Sequence, residues 1–342
     1  MNKPVLVYKI GTSGITNSTG SVALEVINAI AQQLSVLNQQ YNIVIVSSGA
    51  VGTGKKYITD YSGKIEERKA AAAIGNPLLI HEYTKAFQQY DIAIAQSLCE
   101  REHFSDRNKF LQLRSTYQEL WKNNIIPIAN ENDVVSSFEL KFSDNDELAT
   151  LLAINFNAQV LLIATSTDGL LDNNHQLVRK IYDFGAEIMS YVKKVTSSSG
   201  LGGMLSKLTY ARLATLMGIK VHIFNAKVPN AINDALADNI GTVCIAKPIQ
   251  KTAKQKWLAS ASIINGKIIV DDGAKKALLE RKSLLAVGVK NIISEFNALE
   301  AIEILDIENN TIAIARAKTA SEEIKNPTKN TILAHADDIV LL

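Results

Sequence analysis

Cysteine is scarce: Cys99 and Cys244 are the only two in 342 residues. Both stand in apolar, strand-like runs, so they read as buried thiols rather than a disulfide framework, which fits a reducing cytoplasm. Long apolar runs are also missing. None approaches the ~20 residues that span a bilayer, so no membrane segment is expected. The opening Met1-Asn2-Lys3-Pro4 enters a strand pattern directly, without a leader signature, and a cytoplasmic location is the expectation. Net charge is close to absent at +2, which excludes a general pull toward nucleic acid or anionic membrane. There is no long-period repeat and no low-complexity tract. What remains is a chain 47% hydrophobic, long enough for two domains with a full core.

Short apolar strands alternate with helical patterns over the first 245 residues. Strands are expected at 4–10, 42–47, 91–98, 125–130, 160–165, 220–224 and 242–245. Helices are expected at 21–40, 64–90, from a Ser105 cap to 124, at 144–157, 200–217 and 232–237. Repeating units of this length argue for an α/β fold with a mainly parallel sheet covered on both faces. Residues 247–256 (KPIQKTAKQK) are a polar, basic connector. Beyond them come short strands, a helix over 273–281, a hairpin signal at Asn265-Gly266 and a turn at Asn309-Asn310. The expected division is a domain over 1–247 and a small β-rich domain over 256–342.

The stretch 130–147, NENDVVSSFELKFSDNDE, is crowded with Asn, Asp and Glu, yet lies between the apolar strand 125–129 and an apolar helix face. A strand end followed by a helix start is where open α/β sheets bind ligands. Ser143 or Asp144 can cap that helix. Capping does not explain Asn130, Asn132, Asp133 and Asn145 around the same strand end.

Lys9 closes the buried strand PVLVYKI. A lysine there either snorkels to solvent or meets an anion. GAVGTGKK at 49–56 nearly matches the phosphate-binding pattern G-x-x-x-x-G-K-[ST]. Lys56 stands where a hydroxyl would have to hold Mg²⁺, so Ser47-Ser48-Gly49-Ala50 reads better as a small-residue turn open to a ligand. Gly200-Leu201-Gly202-Gly203-Met204-Leu205-Ser206-Lys207 opens a helix. Its glycines expose backbone N–H groups, and Lys207, expected in the first turn, opposes the helix dipole unless an anion sits there.

With these residues in place, the chain resembles the amino acid kinase family, in its glutamate-phosphorylating branch. The motifs are KIGTS at 9–13, VSSGA at 46–50, IANENDVV at 128–135, SDNDELA at 143–149 and GLGGMLSK at 200–207. The tail resembles a PUA module through residues 268–289 and HADD at 335–338. The resemblance implies an αβα sandwich and ATP with Mg²⁺. It also implies transfer of the γ-phosphoryl group to the side-chain carboxylate of L-glutamate, the first step toward proline, which is a candidate feedback inhibitor. A homo-oligomer is expected.

By the same resemblance, Lys9 and Lys207 are phosphate-contacting catalytic lysines, and Asp146 is a third catalytic residue. Its role lies between orienting a lysine and helping to hold the metal. Ser48, Gly49, Asp133, Asp144 and Asn145 are implied on the substrate side, with Asp133 as a partner for the substrate ammonium. Thr165, Ser166, Leu201, Gly202, Gly203, Met204, Leu205, Ser206 and the two lysines are implied on the nucleotide side. No dedicated protein metal site is expected. The chain departs from the family at Ser166, where Asp is usual, at Leu201, where Thr is usual, and at several PUA turns. Two other readings stand beside this one: a relative acting on a different carboxylate or phosphate, and a non-catalytic RNA-binding or regulatory protein. In residues 251–342 eleven lysines and two arginines face twelve acids, so RNA binding by the tail is not expected.

Overall fold

The computed structural model describes residues 3–17, 22–135, 144–193, 201–247, 264–298, 300–324 and 331–341. The chain divides into two compact units, Met1–His103 with Asn108–Ile249, and Phe104–Arg107 with Gln250–Leu342. Among the described residues no helix is long and apolar enough to cross a membrane.

From the N-terminus to Cys244 the elements run β1 (Val5–Ile10), α1 (Thr12–Ile15), α2 (Leu24–Leu37), β2 (Asn42–Ser47), α3 (Ala50–Gly54), α4 (Ile65–Gln88) and β3 (Ile94–Cys99). They continue through α5 (Glu102–Ser105), α6 (Arg107–Lys122), β4 (Ile126–Glu131), α7 (Asn145–Asn155), β5 (Val160–Thr165), β6 (Lys180–Ile181) and α8 (Ala186–Lys193). The last are α9 (Leu201–Leu216), β7 (Lys220–Asn225), α10 (Ala231–Leu236) and β8 (Thr242–Cys244). The strands form one sheet in the order β3-β4-β2-β1-β5-β7-β8-β6. All its pairs are parallel except β7 with β8. The chain leaves β1 toward β2 and later returns to β5 on the other side, so the strand order reverses between β1 and β5. That reversal opens a crevice at the C-terminal strand ends.

Alternation along β1 sorts its side chains between two layers. Leu6, Tyr8 and Ile10 enter the core shared with Ile27, Ile30 and Leu34 of α2 and Leu79, Tyr83 and Phe87 of α4. The opposite face carries α7, which packs on β1, β2, β4 and β5 and also contacts α9. Every residue of α7 from Asp146 to Asn155 is buried, the continuous burial of a helix sandwiched between a sheet and other helices. The expected αβα sandwich is therefore present. The helix expected from Ser105 onward is interrupted: Ser105 ends the short α5, and α6 begins at Arg107.

The second unit holds β9 (Ile264–Val270), α11 (Asp272–Leu279), β10 (Leu284–Leu285), β11 (Val289–Ser294), β12 (Ala301–Leu305), β13 (Thr311–Arg316), β14 (Ile332–Ala334) and β15 (Ile339–Leu341). Five strands are ordered β11-β9-β12-β13-β15, and β10 pairs separately with β14. The hairpin expected at Asn265-Gly266 is absent, because both residues lie inside β9. Gly266 is there for space: a Cβ would lie 2.4 Å from the Phe296 ring and 2.6 Å from Ile302. The Asn309-Asn310 turn does join β12 to β13. Asn309 takes φ 63°, and the Asp306 carboxylate accepts the backbone N–H groups of Glu308 and Asn310.

Candidate functional site

Lys9 lies on the α7 face of β1 and is only 4% exposed. Its Nζ is 2.6 Å from Asp146 Oδ1, while Lys207 Nζ of α9 donates to Asp146 Oδ2 at 3.0 Å. Lys207 also donates to the Gly203 carbonyl at 3.1 Å. One carboxylate, 1% exposed, thus holds two ammonium groups. Removing Asp146 would leave two buried ammonium groups without compensation, whereas removing one lysine leaves the carboxylate paired with the other. Asp144, two residues before Asp146, also acts on Lys9, so two ammonium groups face two carboxylates at the β1 end of the crevice. Burial holds Lys9 below the ordinary lysine range; Asp146 pulls it back up and Lys207 pushes it down.

Helix capping places Asp146. Asp144 is the N-cap of α7, accepting the N–H groups of Asp146 at 2.9 Å and Glu147 at 3.1 Å on Oδ1. Its other oxygen accepts the Ser206 hydroxyl of α9. The choice between Ser143 and Asp144 as cap therefore falls to Asp144. Ser143 lies outside the described residues. Arg101, just past β3, forms an ion pair with Glu147 one residue further along α7.

A ladder of amides lies beside the triad. Asn145 Nδ2 donates to Ser48 Oγ at 2.8 Å and to Asn130 Oδ1 at 2.9 Å, and Asn130 Nδ2 donates to Asn76 Oδ1 of α4 at 3.0 Å. Asn145 Oδ1 is buried and meets no partner among the described residues, which leaves an acceptor for a ligand. Asn132 donates to Glu100 at 2.8 Å. Asp133 sits half-buried in the turn after β4.

The near-match at 49–56 resolves into packing. Gly49 adopts φ 107°, the left-handed turn that lets β2 pass into α3. At Gly54 a Cβ would fall 1.9 Å from the Ala71 carbonyl oxygen of α4, and at Gly75 it would fall 1.8 Å from that of Ala50. These glycines bring α3 and α4 into backbone contact. Lys55 and Lys56 are exposed.

Among the residues expected to meet the nucleotide, Thr165 ends β5 and its carbonyl accepts the Ala226 N–H at 2.8 Å. Ser166 faces Ser13 across the crevice at 3.5 Å, and Asp168, the nearest acid, is engaged by Asn225 at 2.9 Å. Gly202, Gly203 and Met204 lie within the first turn of α9 instead of a loop before it, which puts Lys207 in the second turn. Gly200 lies outside the described residues.

Lys9, Asp144, Asn145, Asp146, Ser206 and Lys207 are thus brought together, with Ser48 joined through Asn145. Sequence reasoning missed Asn76 and the Arg101–Glu147 pair. The signal for Asn76 was a lone amide in the otherwise apolar run AAAAIGNPLL. Among the described residues no cluster of three His, Cys, Asp or Glu could hold a metal.

An αβα sheet whose switch point presents paired ammonium groups and glycine-flanked backbone has the make-up of a phosphotransferase. Residues 4–225 match the model of the amino acid kinase family, and residues 266–332 match the PUA domain. The chain belongs to the amino acid kinase family. It is 33% identical to glutamate 5-kinase of Thermoanaerobacter sp. strain X514, covering 94% of this chain and 89% of that one. Glutamate 5-kinase of Haemophilus influenzae strain 86-028NP is also 33% identical, with full coverage of both. In fold it resembles the Giardia lamblia carbamate kinase bound to AMP-PNP, with a TM-score of 0.53 at 17% identity over 72% of this chain and 99% of that one.

Proposed function

We propose that this chain transfers the γ-phosphoryl group of ATP to the side-chain carboxylate of L-glutamate, giving glutamyl 5-phosphate and ADP. The observation that carries the reading is the sharing of Asp146 by Lys9 and Lys207, with the Asn145–Ser48 pair beside it. A carboxylate is already ionised at pH 7, so its oxygen attacks the γ-phosphorus without a general base while the bond to the bridging oxygen breaks. The obstacle is repulsion between two anions. Lys9 and Lys207 offset it, and Asp146 holds both ammonium groups in place.

On the substrate side, Ser48 and Gly49 form the turn that approaches the ligand, and Asn145 with Asp133 receives the ammonium. Asp144 fixes the α7 terminus. Thr165, Ser166 and the Leu201–Lys207 segment cradle the nucleotide. The donor set suits a polyphosphate better than a bare cation, because both Asp146 oxygens are taken by lysines. Mg²⁺ would therefore be carried by the nucleotide and would supply charge neutralisation on its phosphates, with no protein carboxylate of this cluster left to hold it.

Catalysis resides in residues 1–247, and the tail over 256–342 supplies no reacting group and no RNA-binding surface. The enzyme works in the cytoplasm as a homo-oligomer in proline biosynthesis, with proline as feedback inhibitor. A test is ADP release with MgATP and a panel of acceptors: L-glutamate, L-aspartate, carbamate, UMP and isopentenyl phosphate. Glutamate should exceed every other acceptor in kcat/KM. Preference for another acceptor would assign the chain to a different branch of the family, and no turnover with any would favour a regulatory role.

A further inference from the structure

Asn76 belongs to none of the motifs above, yet it ends a line of amides that leads to the site. It sits inside α4, is 5% exposed, and accepts from Asn130 on Oδ1. Its own Nδ2 is buried and has no partner among the described residues. The bond to Asn130 does not make this a stabilising arrangement by itself: an apolar side chain of the same size would remove the orphan Nδ2 and deprive the buried Asn130 Nδ2 of its acceptor, leaving one unsatisfied donor either way. Retention of an amide here calls for another account.

The polarity of the ladder supplies one. An amide has a donor end and an acceptor end, so the orientation of each member constrains the next. With Asn130 Nδ2 directed at Asn76, Asn130 Oδ1 faces Asn145. Asn145 must then present Nδ2 inward, to Asn130 and Ser48, and its Oδ1 is turned away as the buried acceptor without a protein partner. The same helix fixes Ser48 by a second route, because Gly75 lies against the Ala50 carbonyl and Gly54 against that of Ala71. One turn of α4 thereby braces the Ser48-Gly49 turn through its backbone and Asn145 through its side chains.

We infer that Asn76 is a positioning residue for substrate recognition: through Asn130 it sets the orientation of Asn145 and so presents Asn145 Oδ1 to the ammonium group of an amino-acid substrate. The substrate's identity rests on the glutamate reading above, whereas the relay itself does not.

The test uses the full chain and the near-isosteric Asn76→Leu, with Asn76→Ala as a second variant. KM for glutamate should rise about tenfold or more with KM for ATP nearly unchanged, as for loss of a substrate-binding contact. The effect should vanish in the Asn145→Ala background, where there is no amide left to orient. Equal rises in both KM values, or full additivity with Asn145→Ala, would overturn the relay. A substrate-free readout separates this inference from the glutamate reading. In asparagine-labelled protein, the Asn145 side-chain amide should exchange with solvent faster in Asn76→Leu than in the wild type. Unchanged exchange sinks the relay whichever acceptor the enzyme uses. Faster exchange in a protein that does not phosphorylate glutamate sinks the glutamate reading and leaves the relay standing.

Discussion

Lys9 Nζ lies 2.6 Å from Asp146 Oδ1, with both side chains almost sealed from solvent. Lys207 takes the second oxygen of the same carboxylate. In the proposed reaction the ammonium groups are thereby fixed before the phosphate arrives. Little reorganisation is left for the moment of reaction.

Lys9→Ala and Lys207→Ala should each lower kcat by roughly 10²–10³, the scale for losing one preorganised charge-stabilising group. Circular dichroism should show an intact fold in both. Near-normal kcat in either variant would remove that lysine from the phosphoryl site.

Gly54 and Lys55 are neighbours with opposite expected behaviour. A methyl group at Gly54 meets the Ala71 carbonyl, so Gly54→Ala should destabilise the protein by about 3 kcal/mol, at the upper end of overpacking costs. Lys55 is exposed, and Lys55→Ala should leave kcat and KM for ATP near wild type. Loss of ATP binding in a folded Lys55→Ala protein would restore the phosphate-loop reading of 49–56.

Much of this was legible in the sequence because the signals were local. The period-2 and helical patterns gave the central strands, and the polar stretch at 130–147 contained Asn145 and Asp146. Pairing Lys9 and Lys207 on one carboxylate was a different matter, since they are 198 positions apart and meet only through the sheet topology. The Asn265-Gly266 error has a physical cause as well. A turn signal in the local sequence was overridden by tertiary packing, because Gly266 makes room for Phe296. β6 escaped notice because two residues cannot show a period, and α8 because its amphipathic pattern lasts only eight residues, shorter than the roughly 11–18 over which a helical period is read.

His222 gives a pH signature in the first unit. It is buried on β7, and burial together with Lys220 lowers its pKa to about 4, against a smaller opposing effect of Asp238. Between its unfolded value near 6.5 and about 4, the unfolded chain binds the proton that the folded protein refuses. Stability from this group is thus complete above pH 6.5 and declines as pH falls to 4, by about 3 kcal/mol in all. Urea unfolding of wild type and His222→Gln across this range should show that slope in the wild type only. Parallel pH profiles would contradict it.

Residues 1–247 should retain glutamate-dependent ATP turnover without the tail. Every proposed catalytic and binding residue lies between Lys9 and Lys207, and the last strand of the first sheet ends at Cys244. A folded, soluble truncation with no turnover at saturating substrates would place an essential group in the tail.

The most direct measurement is trapping of the acyl phosphate. The purified full-length protein is incubated with MgATP, L-glutamate and hydroxylamine, and glutamyl hydroxamate is quantified against ADP. The account predicts hydroxamate formed in step with ADP, dependent on glutamate, and reduced in Lys9→Ala and Lys207→Ala by the same factor as kcat. ADP release without hydroxamate, or hydroxamate formation undiminished in both lysine variants, would contradict it.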